Sequence, residues 1–304
     1  MSSVLTINKL TKKYKSKAVV NEVSMHIDRG DIYGFVGENG SGKTTVIRLI
    51  TGLIFPNAGS FELFGVSNDS DDVGKARCRI GAVVESPSIY MNMSAYDNLK
   101  MQSKILGIHD DRKIFSVLSD VGLEDVAAEK KHAGNFSLGM RQRLGIAMAL
   151  LGDPEFLILD EPMNGLDPAG IVSIRELILK LNRERNITFL ISSHILSELS
   201  LVATKYGIIS KGKLIKEITA EQLHCECARI TQISSDEPQK LGEILKSIIS
   251  NQLEYTPDGI KIIGDIDLNE LFSVIIHAGV KILSVNCSET SFEDYYLSVI
   301  GGAK

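Results

Sequence analysis

A chain of 304 residues, 44% hydrophobic and 23% charged, has an ordinary globular composition and the length for two domains. Its net charge of −5 lacks the basic excess of a nucleic-acid binder. No stretch approaches the roughly 18 uncharged apolar residues of a membrane span, and Met1-Ser2-Ser3-Val4-Leu5 is not a charged-then-apolar leader. The four cysteines are Cys78, Cys225, Cys227 and Cys287. With His224 they do not complete a metal-ligand spacing, so reduced thiols in a cytoplasmic chain are expected.

Alternation predicts strands at Val4–Ile7 and Val23–Ile27, with Lys12-Lys13-Tyr14-Lys15 lying between them. The apolar run Ile32–Val36 predicts a buried strand. It leads into Gly37-Glu38-Asn39-Gly40-Ser41-Gly42-Lys43-Thr44, which fits the phosphate-loop pattern G-x-x-x-x-G-K-[ST]. Thr45–Ile50 continues as a helix ending near Gly52. Glycines let backbone wrap a phosphate chain, and free N–H groups at a helix start face the anion. Such a loop places Lys43 on the outer phosphates and the Thr44 hydroxyl on Mg²⁺.

Phe61–Gly65 reads as a short strand, residues 66–78 as polar and irregular, and Arg79–Val84 as a buried strand ending at Glu85-Ser86-Pro87. Helical spacing begins at Ser94 and recurs at 111–122 and 139–151. The apolar strand Phe156–Asp160 ends in Asp160-Glu161, a metal carboxylate followed by a candidate general base. A helix at about 170–184, a strand at Ile187–His194 and a hairpin at 206–215 follow. This alternation predicts a mostly parallel α/β sheet over residues 1–219, with a helical insertion at about 86–152. Residues 220–304 read as β-α-β-β-α-β, a ferredoxin-like α+β domain.

Taken together, residues 4–216 resemble the nucleotide-binding cassette of the ABC ATPase superfamily. The phosphate loop stands for Walker A, Phe156–Asp160 for Walker B and Glu161 for the catalytic base. Phe136–Arg143 stands for the signature, Asn164–Asp167 for the D-loop, His194 for the switch histidine and Tyr14 for the adenine-stacking aromatic. The resemblance implies a mixed sheet core with antiparallel and helical subdomains. It also implies that ATP is held by Tyr14, Gly37–Thr44 and Thr45, with Mg²⁺ on Thr44 and Asp160, and with Glu85 either joining the Mg²⁺ ligands or contacting the membrane partner alone. Ser137 and Gly139 would face the γ-phosphate of a second copy, or of a homologous subunit, in a head-to-tail dimer.

Three positions depart from the family pattern: Leu138 and Met140 in the signature, and Glu85 where Gln is usual. With Tyr90 and Gly165–Pro168 they resemble the ATPases of bacterial bacitracin and lantibiotic immunity exporters. The expected protein is therefore an ATP-hydrolysing exporter subunit on the cytoplasmic face of the membrane, working with a separate permease and without nucleic acid. An exporter ATPase for another drug or ion is one alternative, and a soluble ABC protein acting on ribosomes or DNA is the alternative class. The single phosphate loop, the acidic charge and the lack of heptads weigh against it.

Overall fold

The computed structural model describes residues 3–129, 131–227, 229–249, 251–264, 266–289 and 291–301. The chain separates into two compact units, Met1–Ala220 and Glu221–Gly302.

The first unit opens with the long strands β1 (Ser3–Tyr14) and β2 (Lys17–Asp28), then β3 (Ile32–Val36) and α1 (Lys43–Thr51). Next come β4 (Ala58–Leu63), β5 (Val66–Ser67), α2 (Val73–Arg77) and β6 (Ile80–Val83). The helical segment holds α3 (Ala95–Ile105), α4 (Asp111–Asp120), α5 (Glu124–Ala128) and α6 (Leu138–Leu150). The unit closes with β7 (Phe156–Asp160), α7 (Pro168–Arg185), β8 (Thr188–Ser193), α8 (Leu196–Leu199), β9 (Lys205–Ser210) and β10 (Lys213–Thr219).

Two sheets organise this unit. The six-stranded sheet has the order β10-β9-β3-β8-β7-β6; all neighbours are parallel except β10, which pairs antiparallel with β9. Every residue of β3, β7 and β8 is buried, as expected of central strands covered on both faces. The second sheet, β2-β1-β4-β5, is antiparallel. One core, including Leu5, Ile7, Tyr33, Phe35, Ile47, Phe61 and Ile158, packs both sheets around α1.

Local chemistry sets the helix ends. Ser94, Ser137 and Asp167 cap α3, α6 and α7 by accepting from the backbone N–H three residues on. Pro168 opens α7, and Gly52 closes α1 in the left-handed region.

The observed elements differ from expectation in two places. β1 runs on through Lys12–Tyr14 and β2 starts already at Lys17, because bulges near Leu10 and Lys12 re-phase the alternation. Tyr14 therefore ends a strand and pairs with Lys17. Residues 66–78, expected to be irregular, contain β5 and α2.

The second unit begins in α9 (Ala220–Glu226), which the sequence reading missed, and continues with β11 (Arg229–Ser235), α10 (Pro238–Ile248), β12 (Gln252–Thr256) and β13 (Gly259–Ile263). It ends with α11 (Leu268–His277), β14 (Ile282–Glu289) and α12 (Phe292–Gly301). Its sheet is antiparallel in the order β12-β13-β11-β14, the split β-α-β arrangement of ferredoxin-like domains. Leu241, Leu245, Leu271 and Ile275 of α10 and α11 fill one face against Ile233, Ile260 and Ile262.

Candidate functional site

The candidate site forms where β3, β8 and β7 end side by side. The loop after β3 carries the phosphate-loop motif, and Gly42 starts α1 at φ 113°. A Cβ on Gly42 would lie 2.8 Å from the Val19 carbonyl, and one on Gly37 would lie 2.4 Å from the Ile209 carbonyl. Both positions therefore exclude any side chain. The turn between β9 and β10 props the loop from below, because the Gly212 N–H donates to the Ser41 carbonyl at 2.9 Å. The Gly212 carbonyl in turn accepts from the Asn21 N–H of β2 at 2.8 Å.

Lys43 is 5% exposed, and its Nζ donates to the carbonyls of Gly37 at 2.6 Å and Glu38 at 3.3 Å. The Thr44 hydroxyl donates to Asp160 Oδ2 at 2.8 Å across 116 residues of chain. Asp160 is 2% exposed and accepts from the Ser192 hydroxyl at 2.5 Å through its other oxygen. The Glu161 N–H donates to the Ser192 hydroxyl at 2.9 Å. Glu161 itself sits at φ 51°, a left-handed conformation that costs a non-glycine residue about 1–3 kcal/mol. The surrounding hydrogen bonds hold it there, and its carboxylate meets Lys43 Nζ at 3.2 Å and His194 Nδ1 at 2.7 Å.

Thus Lys43, Thr44, Asp160, Glu161 and His194 share one connected cluster. Ser192 joins them, although the sequence alone assigns it no role. Other expected residues lie outside the cluster. Glu85, at φ 61° and 60% exposed, is ion-paired with Arg48 of α1 and makes no bond to Thr44 or Asp160. Tyr14 is 45% exposed with Lys12 Nζ 5.5 Å above its ring. The Ser137 hydroxyl accepts from the Met140 N–H at the start of α6. Gly139 faces the Asn164–Asp167 turn, where a Cβ would lie 3.8 Å from Leu166 Cδ2. Glu38, Asn39 and Gly40 form the exposed crown of the loop. Ser41 is buried, and Thr45 lies in the first turn of α1.

The cluster fits a phosphate chain and a hard cation. The buried Ser41 hydroxyl has no hydrogen-bond partner, and the loop presents backbone N–H groups and an ammonium. Thr44 and Asp160 offer the hard oxygen donors that Mg²⁺ prefers. Fold and site together define a P-loop ATPase whose sheet core carries antiparallel and helical additions.

Comparison with known proteins narrows the class. The ABC transporter family model matches residues 20–164. The chain is 43% identical to the bacitracin transport ATP-binding protein BcrA of Bacillus licheniformis, over 99% of each chain. It is 42% identical to the lantibiotic transport ATP-binding protein SrtF of Streptococcus pyogenes, over 70% of this chain and 90% of the relative. Its fold matches a dimeric ATP-binding cassette solved in a post-hydrolysis state with ADP and Pi. That match has a TM-score of 0.63 and 24% identity, over 71% of this chain and 98% of the other. The chain belongs to the ABC transporter family, as its ATP-binding, ATP-hydrolysing subunit.

Proposed function

We propose that the chain drives export of a peptide antibiotic of the bacitracin or lantibiotic type, hydrolysing ATP on the cytoplasmic face for a separate permease. The substrate class rests on the two transport relatives. None of the helices among the described residues is long and apolar enough to cross a membrane, so the translocation path is assigned to another chain. A groove of about 810 Å³ between β6, α3 and α6, lined by Val84, Pro87, Leu106, Gly145 and Met148, suits an amphipathic helix of that permease.

The observation that carries the chemistry is Glu161, held between Lys43 and His194 at the end of β7. Tyr14 stacks on adenine, the Gly37–Thr45 segment wraps the phosphates, and Lys43 moves onto their outer oxygens. Glu161 accepts a proton from water as the water oxygen bonds to the γ-phosphorus and the bond to the β-phosphate oxygen breaks. His194 orients the carboxylate and reaches toward the γ-phosphate. Mg²⁺, held by Thr44 and Asp160, would neutralise phosphate charge. Glu85 is assigned to the edge of this site, through Arg48. Ser137 and Gly139, lying outside the cluster, serve the nucleotide of a second copy in a head-to-tail dimer.

The test is Glu161→Gln. Turnover should fall about 10²–10⁴-fold with ATP binding retained. Gel filtration with MgATP should reveal a dimer; a variant that turns over like wild type, or stays monomeric, defeats the reading.

A further inference from the structure

One surface of the first unit flanks Tyr14 but carries charges to which the nucleotide chemistry assigns no role. No acidic residue occurs before Glu22, yet Lys12, Lys13, Lys15 and Lys17 crowd the turn joining β1 and β2. Lys13, Lys15 and Lys17 are exposed, and no ion pair ties any of the four to a described carboxylate. Such a local excess of positive charge contrasts with a chain of net charge −5.

The loop after α1 packs beside this turn. The Lys12 ammonium donates to the Phe55 carbonyl at 2.7 Å, the Lys13 N–H donates to Asn57 Oδ1 at 2.7 Å, and the Asn57 N–H donates to the Thr11 carbonyl at 2.8 Å. These bonds fix Phe55 next to the lysines. Its side chain is 76% exposed, and Leu53 two residues earlier is 63% exposed. A protruding aromatic ring on an anchored backbone, beside ammonium groups without a carboxylate partner among the described residues, is the combination that the headgroup boundary of an anionic bilayer accepts. The ring enters the acyl boundary while the lysines stay at headgroup level.

We propose that this surface, Phe55 with Lys13, Lys15 and Lys17, binds the anionic inner leaflet directly. Leu53 also lines the groove assigned above to the permease helix, so groove and tip lie on one side of the unit. In that respect the proposal rests on the permease reading. Lipid contact would hold the subunit against the membrane and restrict its search for the permease to a plane.

Vesicle flotation of the full-length chain tests this directly. Binding to mixed phosphatidylglycerol–phosphatidylcholine vesicles should be salt-sensitive, and binding to pure phosphatidylcholine should be at least tenfold weaker. The Lys15→Glu/Lys17→Glu double variant should lose roughly 20-fold or more in partitioning, at about fivefold per basic side chain. Phe55→Ser should lose about tenfold by itself. ATPase activity of Phe55→Ser should match wild type, which separates a failure here from a failure of the nucleotide site. Equal binding to neutral vesicles, no binding at all, or variants that bind like wild type would overturn the proposal. So would variants that keep vesicle binding but no longer capture the purified permease in detergent, because the surface would then serve a protein partner.

Discussion

Ser192 receives one carboxylate and one backbone amide through a single hydroxyl. It donates to Asp160 and accepts from the Glu161 N–H, so it sets the spacing between the carboxylate assigned to the cation and the one assigned to water. Ser192→Ala removes both bonds without adding bulk. Displacements of about 1 Å at a reacting group cost on the order of 10²-fold in rate. We expect kcat to fall roughly 10–100-fold while ATP affinity by titration calorimetry changes only a few-fold. An equal loss in both would mean that Ser192 merely stabilises the fold. Lys43, Thr44, Asp160 and Glu161 could be read from sequence, because each belongs to a contiguous pattern with a chemical reason for its spacing. Ser192 could not be singled out: a hydroxyl closing a buried strand resembles any satisfied core serine. The Arg48 partner of Glu85 was equally hidden, since nothing local to α1 announces it.

Among elements, the β9–β10 turn matters more than its length suggests. Gly212 sits at φ 80°, and a Cβ there would lie 2.5 Å from the Val19 carbonyl. Gly212→Ala should therefore cost about 1–3 kcal/mol and shift the Ser41 carbonyl that the turn supports. The expected result is weaker ATP binding together with a lower unfolding midpoint. A second tie holds the start of β7. Glu155 accepts from Arg79 Nε and from Arg29, each at 2.6 Å. The Arg79 hydrogen bond, followed by that of Arg29, holds its carboxyl at about 2, below its ordinary 4.5. Because the unfolded chain binds the proton more readily, this contribution is complete above about pH 4.5 and disappears as pH falls toward 2. The side chain is 37% exposed, so screening reduces the gain to about 1 kcal/mol. Glu155→Gln should be less stable than wild type at neutral pH, with the two denaturation curves converging in acid. Bulges explain why β1 and β2 were underestimated from sequence, since each one interrupts the alternation that marks a strand. The helices of the second unit were legible because α10 and α11 keep an uninterrupted apolar stripe.

For the whole molecule, two compact units, each with a core of its own, are expected to give two unfolding transitions. Leu245 is fully buried in the second core, and Leu245→Ala should cost about 2–5 kcal/mol there. Scanning calorimetry should show that transition move down, while MgATP raises only the transition of the cassette. A single merged transition responding to both would contradict the division.

The strand order of the central sheet has a consequence for how the protein is made. β8 lies between β3 and β7, so the phosphate loop and Asp160 become neighbours only after β8 has been inserted. The support under Ser41 comes later still, from Gly212. During synthesis the ribosome will have released the entire motif-bearing first half well before the pocket exists. Until the segment through Gly212 emerges, the exposed edges of β3 and β7 are the places where a nascent chain most needs chaperone protection.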